Sequence, residues 1–232
     1  MISLCVPFSA KAQARAAGAT WNATEKVWQC DQGLIAGDGY AALRPFLPRM
    51  YRRDVRRPFI RPFMVPQGSW GKNLRSVLDV EDWKRVRRYA YDAAGSRCIV
   101  CGGRGPEWPV EADEAWDYDD DRSVQTLKGV IALCPSCHLV RHWGHATVSG
   151  RAEIAIAQMV RVNGWTRPQA EAAGDAGLRL WEARSRRRWH MDYSWVTRVH
   201  GIVVDEAGLA RAEDANQTLV EEARAGRGNS LW

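Results

Sequence analysis

The chain has 232 residues, enough for one or two domains, and 46% of them are hydrophobic, as in ordinary folded proteins. The formal net charge of +6 favours a nucleic acid as partner over a membrane or an acidic small molecule. No apolar run approaches the roughly 20 residues of a membrane span, and the start from Met1 to Pro7 lacks the basic segment of a secretory signal. We therefore expect a cytoplasmic protein whose six cysteines are metal ligands or free thiols.

Residues 1–48 are predicted to form a small αβ module. The residue pattern predicts four elements in this order: a strand over 2–6, a helix capped by Ser9 that ends before Gly18, a strand over 26–30 and a short helix over 40–46. Cys5 and Cys30 are expected to be buried thiols on neighbouring strands.

The same module has a distinctive series of residues: Val6-Pro7-Phe8, Lys11, Ala14, Ala17-Gly18-Ala19, Trp21 and Lys26-Val27-Trp28. In this series it resembles a short domain of unknown function, the DUF5710 type, and more loosely the HARP modules of DNA-annealing helicases. Domains of the DUF5710 type are appended to plasmid primases and other DNA-processing proteins, so the resemblance implies a role close to DNA. Two interpretations of Trp21 and Trp28 stay open: both belong to the core, or one of them stacks on a base.

Residues 49–77 are predicted to form a basic linker. Its first part combines six arginines with three aromatic residues, and its prolines argue against a regular helix. Two interpretations stay open: a phosphate track with stacking sites, or a solvated linker whose aromatic residues dock on a neighbouring domain. The candidate contacts to nucleic acid are Arg52, Arg53, Arg56 and Arg57.

Residues 78–150 are predicted to form a central zinc domain that opens with an amphipathic helix. Asp79 is expected to cap this helix, which runs from Val80 to about Ala94 and ends at Gly95.

Residues 151–232 are predicted to be mainly helical. A helix over 152–162 should end at Asn163 and Gly164, and Thr166 should cap the next one. One further weak helix is expected after Asp205.

The second of these helices leads into the basic cluster 184–188, which is open to two interpretations. Its charges either offset the negative end of the helix dipole or contact a phosphate backbone, with Arg186 and Arg187 as the candidate residues. A flexible end is expected near Gly226 to Asn229.

Two cysteine pairs mark the central domain, and the second pair leads directly into a histidine. Two CxxC pairs match the tetrahedral coordination of a structural zinc ion by four thiolates. The predicted Zn²⁺ ligands are Cys98, Cys101, Cys134 and Cys137.

Three motifs surround these cysteines: Gly95-Ser96-Arg97-Cys98-Ile99-Val100-Cys101-Gly102, Val110-Glu111-Ala112, and Leu133-Cys134-Pro135-Ser136-Cys137-His138. Together they resemble the HNH endonucleases, whose core is a ββα-metal (His-Me) finger. The resemblance implies a fold in which zinc holds the finger together. It also implies a His at the end of the first strand that activates water, a His at the start of the helix that binds a divalent metal, and an Asn that orients the general base.

The sequence departs from that family at two of these positions. His138 matches the helix histidine, but Asp113 stands where the general-base His is expected, and Gln125 is the one amide residue where an Asn is expected. An aspartate, with a reference pKa of about 3.9, is a weaker base at neutral pH than a histidine. Asp113 could instead bind a metal, and Glu111 would share its strand face.

The sequence therefore predicts an α+β protein with an N-terminal αβ module, a basic linker, a zinc-stabilised finger and C-terminal helices. The first hypothesis is an HNH-type nuclease that acts on DNA, with Glu111, Asp113 and His138 around Mg²⁺ or Mn²⁺. His142, one helical turn from His138, could extend that site. The second hypothesis is an inactive finger that binds nucleic acid or protein. The third is a small interaction protein with a protein partner.

Overall fold

The computed structural model describes residues 1–225. Within this range the protein combines two three-stranded sheets with surrounding helices, which confirms the predicted α+β class. The predicted flexible end near Gly226 to Asn229 lies outside the described residues. Among those residues, every helix is too short or too polar to span a bilayer.

The N-terminal module is an antiparallel sheet covered by short helices. Its elements are β1 (Ile2–Ser3), α1 (Lys11–Ala16), β2 (Thr20–Asn22), β3 (Val27–Cys30), α2 (Gln32–Ala36) and α3 (Tyr40–Leu43), and the strand order is β1-β3-β2. The first strand is shorter than predicted, because the Cys5 amide leaves β3 and donates to the Phe46 carbonyl at 2.8 Å. Trp28 is buried in the core of the module, whereas Trp21 on the partner strand is 49% exposed.

The central region is a long hairpin with two helices before it and two helices after it. Its elements are α4 (Leu74–Val77), α5 (Val80–Ala93), β4 (Glu111–Asp119), β5 (Val124–Leu133), α6 (Pro135–Arg141) and α7 (Trp143–Val148). The predicted cap of α5 is confirmed, since the Asp79 carboxylate accepts from the Asp82 amide at 2.7 Å. A bulge between Ala115 and Trp116 shifts the register of β4 against β5.

Up to residue 225, the C-terminal region adds four helices and one strand, namely α8 (Ala152–Asn163), α9 (Arg167–Ser185), β6 (His190–Asp192), α10 (Ser194–His200) and α11 (Glu206–Arg224). Gly164 ends α8 in the left-handed conformation at φ +64, and Thr166 forms a capping box with Gln169 at the start of α9, as predicted. The short strand β6 was not predicted. It runs parallel to β5, so the C-terminal region completes the sheet of the central hairpin.

The linker after the N-terminal module packs into the same core as the four cysteines and α8. Ile60 and Met64 are buried there, and Phe59 packs against that core. The side chain of Asn163, at the end of α8, holds the linker backbone in place. Its Oδ1 accepts from the amides of Phe59 at 2.8 Å and Ile60 at 3.2 Å, and its Nδ2 donates to the Ile60 carbonyl at 2.8 Å.

Replacing Asn163 by Ala should lower the free energy of unfolding by about 2 kcal/mol or more, because three backbone groups of the linker lose their partner in a buried setting. Urea denaturation followed by tryptophan fluorescence measures this change. The matched control is Gln13→Ala on the exposed side of α1, which should stay within about 0.5 kcal/mol of the parent. Equal stabilities for the two variants would contradict this role of Asn163.

Candidate functional site

One turn and one helix start bring the four cysteines together. Cys98 and Cys101 lie in the turn after α5, where the Gly102 amide donates to the Cys98 carbonyl at 2.8 Å. Cys134 is the N-cap of α6, and Cys137 lies in its first turn. Gly102 has φ +74, and a side chain there would meet the Ser3 carbonyl at 2.9 Å, so this turn and the N-terminal module pack closely.

The four thiols have the spacing of a tetrahedral metal site, and all four residues are buried. The Sγ atom of Cys101 lies 3.7 Å from that of Cys134 and 3.8 Å from that of Cys137. Four sulfur atoms at about 2.3 Å from a zinc ion stand roughly 3.8 Å apart in a tetrahedron. The four-thiol cluster therefore fits a structural metal ion such as zinc.

Helix α8 supplies polar partners to this cluster that the sequence did not reveal. Gln158 donates from Nε2 to the Cys137 sulfur at 2.9 Å, and its Oε1 accepts from Arg161 at 3.0 Å. The positive charge of Arg161 also interacts with the thiol of Cys101. Such contacts offset the negative charge that four thiolates bring to a divalent ion and orient the sulfur ligands.

A second group of possible ligands lies at the C-terminal half of α6. The Oδ1 atom of Asp113 is 3.8 Å from Nε2 of His138 and 3.6 Å from Nε2 of His142, and we call these three residues the Asp-His-His cluster. Ligands at about 2.1 Å from a metal stand roughly 3.0–3.4 Å apart. These two distances exceed this range, and all three ligand atoms lie within 4.8 Å of one another, so metal binding would require an inward shift of the ligands. His142 thus joins the two residues that the sequence placed there.

Glu111 contacts the other nitrogen of the same imidazole. Its Oε2 lies 2.6 Å from Nδ1 of His138, and this hydrogen bond lowers the pKa of Glu111 despite partial burial. The contact directs Nε2 of His138 towards Asp113. Glu111 therefore orients a ligand and does not itself face the centre of the Asp-His-His cluster.

Asp113 is a buried carboxylate held by positive charge. Burial alone would raise its pKa, but the Arg141 guanidinium, which forms an ion pair with Oδ2, and the His142 imidazole at 3.6 Å bring the pKa of Asp113 down to about 2. The carboxylate is therefore ionised across the neutral range. This makes it a good cation ligand and a poor proton acceptor.

The neighbouring carboxyl group, Glu114, behaves in the opposite way. Burial raises the pKa of Glu114 to about 7, although its oxygens accept from the Leu74 amide at 2.6 Å and from Nε1 of Trp116 at 3.1 Å. Arg141 also reaches this segment and donates to the Glu114 carbonyl at 2.9 Å. Two adjacent residues of β4 thus have carboxyl groups with widely separated proton affinities.

The candidate linker arginines divide into two pairs. Arg52 and Arg53 each donate to a backbone carbonyl of the N-terminal module and so help to fix the linker on it. Arg56 and Arg57 are exposed. The guanidinium of Arg57 lies 5.8 Å from the ring of Phe59.

The basic cluster 184–188, at the end of α9, contacts the tip of the β4–β5 hairpin. Arg184 forms an ion pair with Asp120 at 2.7 Å, and Arg187 donates to the Asp120 carbonyl. Arg186 is exposed. Part of this cluster therefore holds α9 against the hairpin, a contact that the sequence does not predict.

Comparison with known proteins matches one part of the chain. The family model of DUF5710, a domain of unknown function, matches residues 1–48. This confirms the resemblance seen in the N-terminal module and adds no activity to it. Neither the curated proteins nor the solved structures yielded a match to the chain.

Replacing Cys134 by Ser should release about one metal ion per chain and destabilise the region around α6, because the ligand set would lose a thiolate. Metal analysis after gel filtration and a thermal melt give the two readouts. Cys30→Ser, in the core of the N-terminal module, is the matched control for a buried thiol outside the cluster and should keep its metal. Full metal content in the Cys134 variant would rule out the four-thiol site.

Glu114 should make the protein less stable as the pH rises from about 4.5 to 7. The folded-state pKa is raised, so in this window the folded state binds more protons than the unfolded state, and its stability falls with rising pH. Urea denaturation at pH 5 and pH 8 should show this slope in the parent. A smaller slope is expected in Glu114→Gln, and the same slope in both proteins would exclude Glu114 as its source.

Proposed function

We propose that this protein is a metal-dependent nuclease of the HNH type that acts on DNA. The observation that carries the proposal is the convergence of Asp113, His138 and His142 beside a hairpin and helix joined by the four-thiol cluster. The strand–strand–helix order of β4, β5 and α6 is the order of a ββα-metal finger. In this reading zinc in the four-thiol cluster is structural, and the Asp-His-His cluster holds the working metal.

The donor set of the Asp-His-His cluster fits a borderline divalent cation. One carboxylate and two imidazoles suit Mn²⁺ better than Mg²⁺, which prefers oxygen ligands and keeps several waters. A metal bound there would stabilise charge on the phosphate and lower the pKa of a coordinated water. Because Asp113 is ionised and held by Arg141, it acts as a ligand and not as the general base that a histidine would be at this position.

Other residues prepare the site without touching the metal. Glu111 keeps the His138 ring in the orientation that presents Nε2. Arg75 and Arg151 line the same cleft with exposed side chains, where they would attract a phosphate backbone. The exposed arginines of the linker and of the basic cluster 184–188 extend the positive surface available to DNA.

A second candidate function is a DNA-binding finger without catalysis. The ion pair between Arg141 and Asp113 favours it, because a carboxylate neutralised by a guanidinium needs no metal. A metal at this site must share Asp113 with Arg141, binding Oδ1 while Oδ2 keeps the ion pair. The two functions therefore differ in whether the Asp-His-His cluster binds a cation.

Cleavage of a labelled duplex and a labelled single strand with Mn²⁺ or Mg²⁺ tests the proposal. Changing Asp113 to Asn or His142 to Ala should lower the rate by about 10- to 100-fold or more, because each change removes a ligand. His190→Ala, at an exposed position of β6, is the matched control and should keep the parent rate. Titration calorimetry with Mn²⁺ should lose one binding event in the two cluster variants.

The variant Asp113→His distinguishes the two functions. Cleavage by the parent that is lost in the cluster variants supports the nuclease. Cleavage by the Asp113→His variant but not by the parent indicates that the parent finger lacks only the general base. DNA binding without cleavage or Mn²⁺ uptake in any form would overturn the nuclease proposal in favour of the binding finger.

A further inference from the structure

A second groove lies where the N-terminal module meets the segment that runs from the end of α5 to Arg104. Its volume is about 290 Å³, close to that of the smaller ligand sites in proteins. We call it the junction groove. In the described part of the chain, the residues that line it and those that line the cleft of the Asp-His-His cluster do not overlap. The junction groove is therefore a separate candidate site.

The two walls of the junction groove pack closely against each other. Gly95, at the end of α5, has φ +57, and a side chain there would collide with the Val6 carbonyl of the N-terminal module. On the same wall as Gly95, Nε of Arg104 donates to the Ser96 carbonyl at 3.1 Å. The groove is thus formed before any ligand binds, which lowers the entropy cost of binding.

Two exposed aromatic rings line the junction groove. Phe8 is 79% exposed and Trp21 is 49% exposed. Trp21 lies on the edge strand β2, and the buried ring of Trp28 packs against it with the two ring centroids 5.6 Å apart. Trp28 therefore supports the Trp21 ring while about half of that side chain stays open to solvent. Exposed rings held in this way are typical of proteins that stack the bases of a single strand.

Positive charge surrounds these rings. The charged residues in the lining are four cations and one carboxylate, namely Lys11, Lys26, Arg97, Arg104 and Asp92. Among residues 1–225, Lys11, Lys26 and Arg104 form no ion pair with a carboxylate. Lys26 and Arg104 are exposed, and Nζ of Lys11 lies 3.5 Å from the centroid of the Phe8 ring. Cations without carboxylate partners beside open rings match the alternation of phosphates and bases in a nucleic acid.

The rings decide which form of nucleic acid fits the junction groove. Inside a duplex each base is stacked between its neighbours, so its face cannot reach a protein side chain. In a single strand the faces of the bases are available for stacking on Phe8 and Trp21. An acidic peptide would match the charge of the groove but has no flat groups for these rings.

We propose that the junction groove binds single-stranded DNA, with one base stacked on Trp21, another on Phe8, and the backbone phosphates beside Lys26 and Arg104. The stacking and the charge are independent of the proposed function, and only the choice of DNA over RNA rests on it. A strand held in this groove would anchor the protein next to the single-stranded regions of its substrate.

Fluorescence anisotropy of the full chain with a labelled oligothymidylate of about 12 nucleotides tests the site, without Mg²⁺ or Mn²⁺ so that no strand is cut. Trp21→Ala should lower the affinity by about tenfold, because one base loses its stacking partner. Trp21→Phe keeps a ring and should restore most of the affinity. For a blunt duplex of the same length, Trp21→Ala should change nothing, since no base is open to stacking.

Two further variants keep the test valid if Trp21→Ala does not fold. Phe8→Ala, at a side chain with few contacts to lose, should also weaken binding of the single strand. Lys26→Gln should weaken it less and should reduce the slope of log affinity against log salt by about 0.7, the value for one phosphate contact of a single strand. Trp108→Ala is the matched control, because Trp108 is 70% exposed but does not line the junction groove.

Unchanged affinity in Trp21→Ala and Phe8→Ala would overturn the inference, and so would an equal loss in Trp108→Ala. Displacement of the oligothymidylate by polyglutamate as readily as by unlabelled strand would reduce the groove to a patch of charge. Tighter binding of oligouridylate would overturn the choice of DNA. Single-strand binding that depends on Trp21, without cleavage by any form, would overturn the proposed function alone. Cleavage together with ring variants that bind like the parent would overturn this inference alone.

Discussion

The four-thiol cluster is the contact on which the rest of the structure depends. It ties the turn after α5 to the first turn of α6, and α8 closes over it through Gln158 and Arg161. These segments are far apart in the chain, and the loop from Cys101 to Cys134 includes the whole β4–β5 hairpin. Closing such a long loop costs chain entropy, and the free energy of metal binding by four thiolates would offset that cost.

Helix α6 connects the four-thiol cluster to the Asp-His-His cluster. Cys134 and Cys137 lie at its start, and His138 follows directly on a different side of the same helix. His142 comes one turn later, so both imidazoles face the strand that contains Asp113. Any displacement at the thiols would therefore move both histidines, which makes the geometry of one site depend on the other.

Charge separation along β4 defines the chemistry available in the cleft. Arg141 stabilises the ionised form of Asp113, whereas burial favours the neutral form of Glu114 on the opposite face of the strand. The two faces of β4 thus differ in charge: one has an ionised carboxylate beside the histidines, and the other has a carboxyl group whose neutral form is favoured by burial.

Local patterns in the sequence determined the α+β class, the paired cysteines, and the ends of α5, α8 and α9. These features depend on neighbours in the chain. The side chains of Asp79 and Thr166 accept hydrogen bonds from backbone amides three residues later, and Gly164 has a left-handed conformation that glycine adopts without strain. Only the tertiary structure decided the contacts between distant segments. Examples are the parallel pairing of β6 with β5, the hydrogen bonds between Asn163 and the linker backbone, and the hydrogen bond between Glu111 and Nδ1 of His138. Such contacts depend on how distant segments pack and on how deeply their polar groups are buried, and the residue pattern along the chain specifies neither.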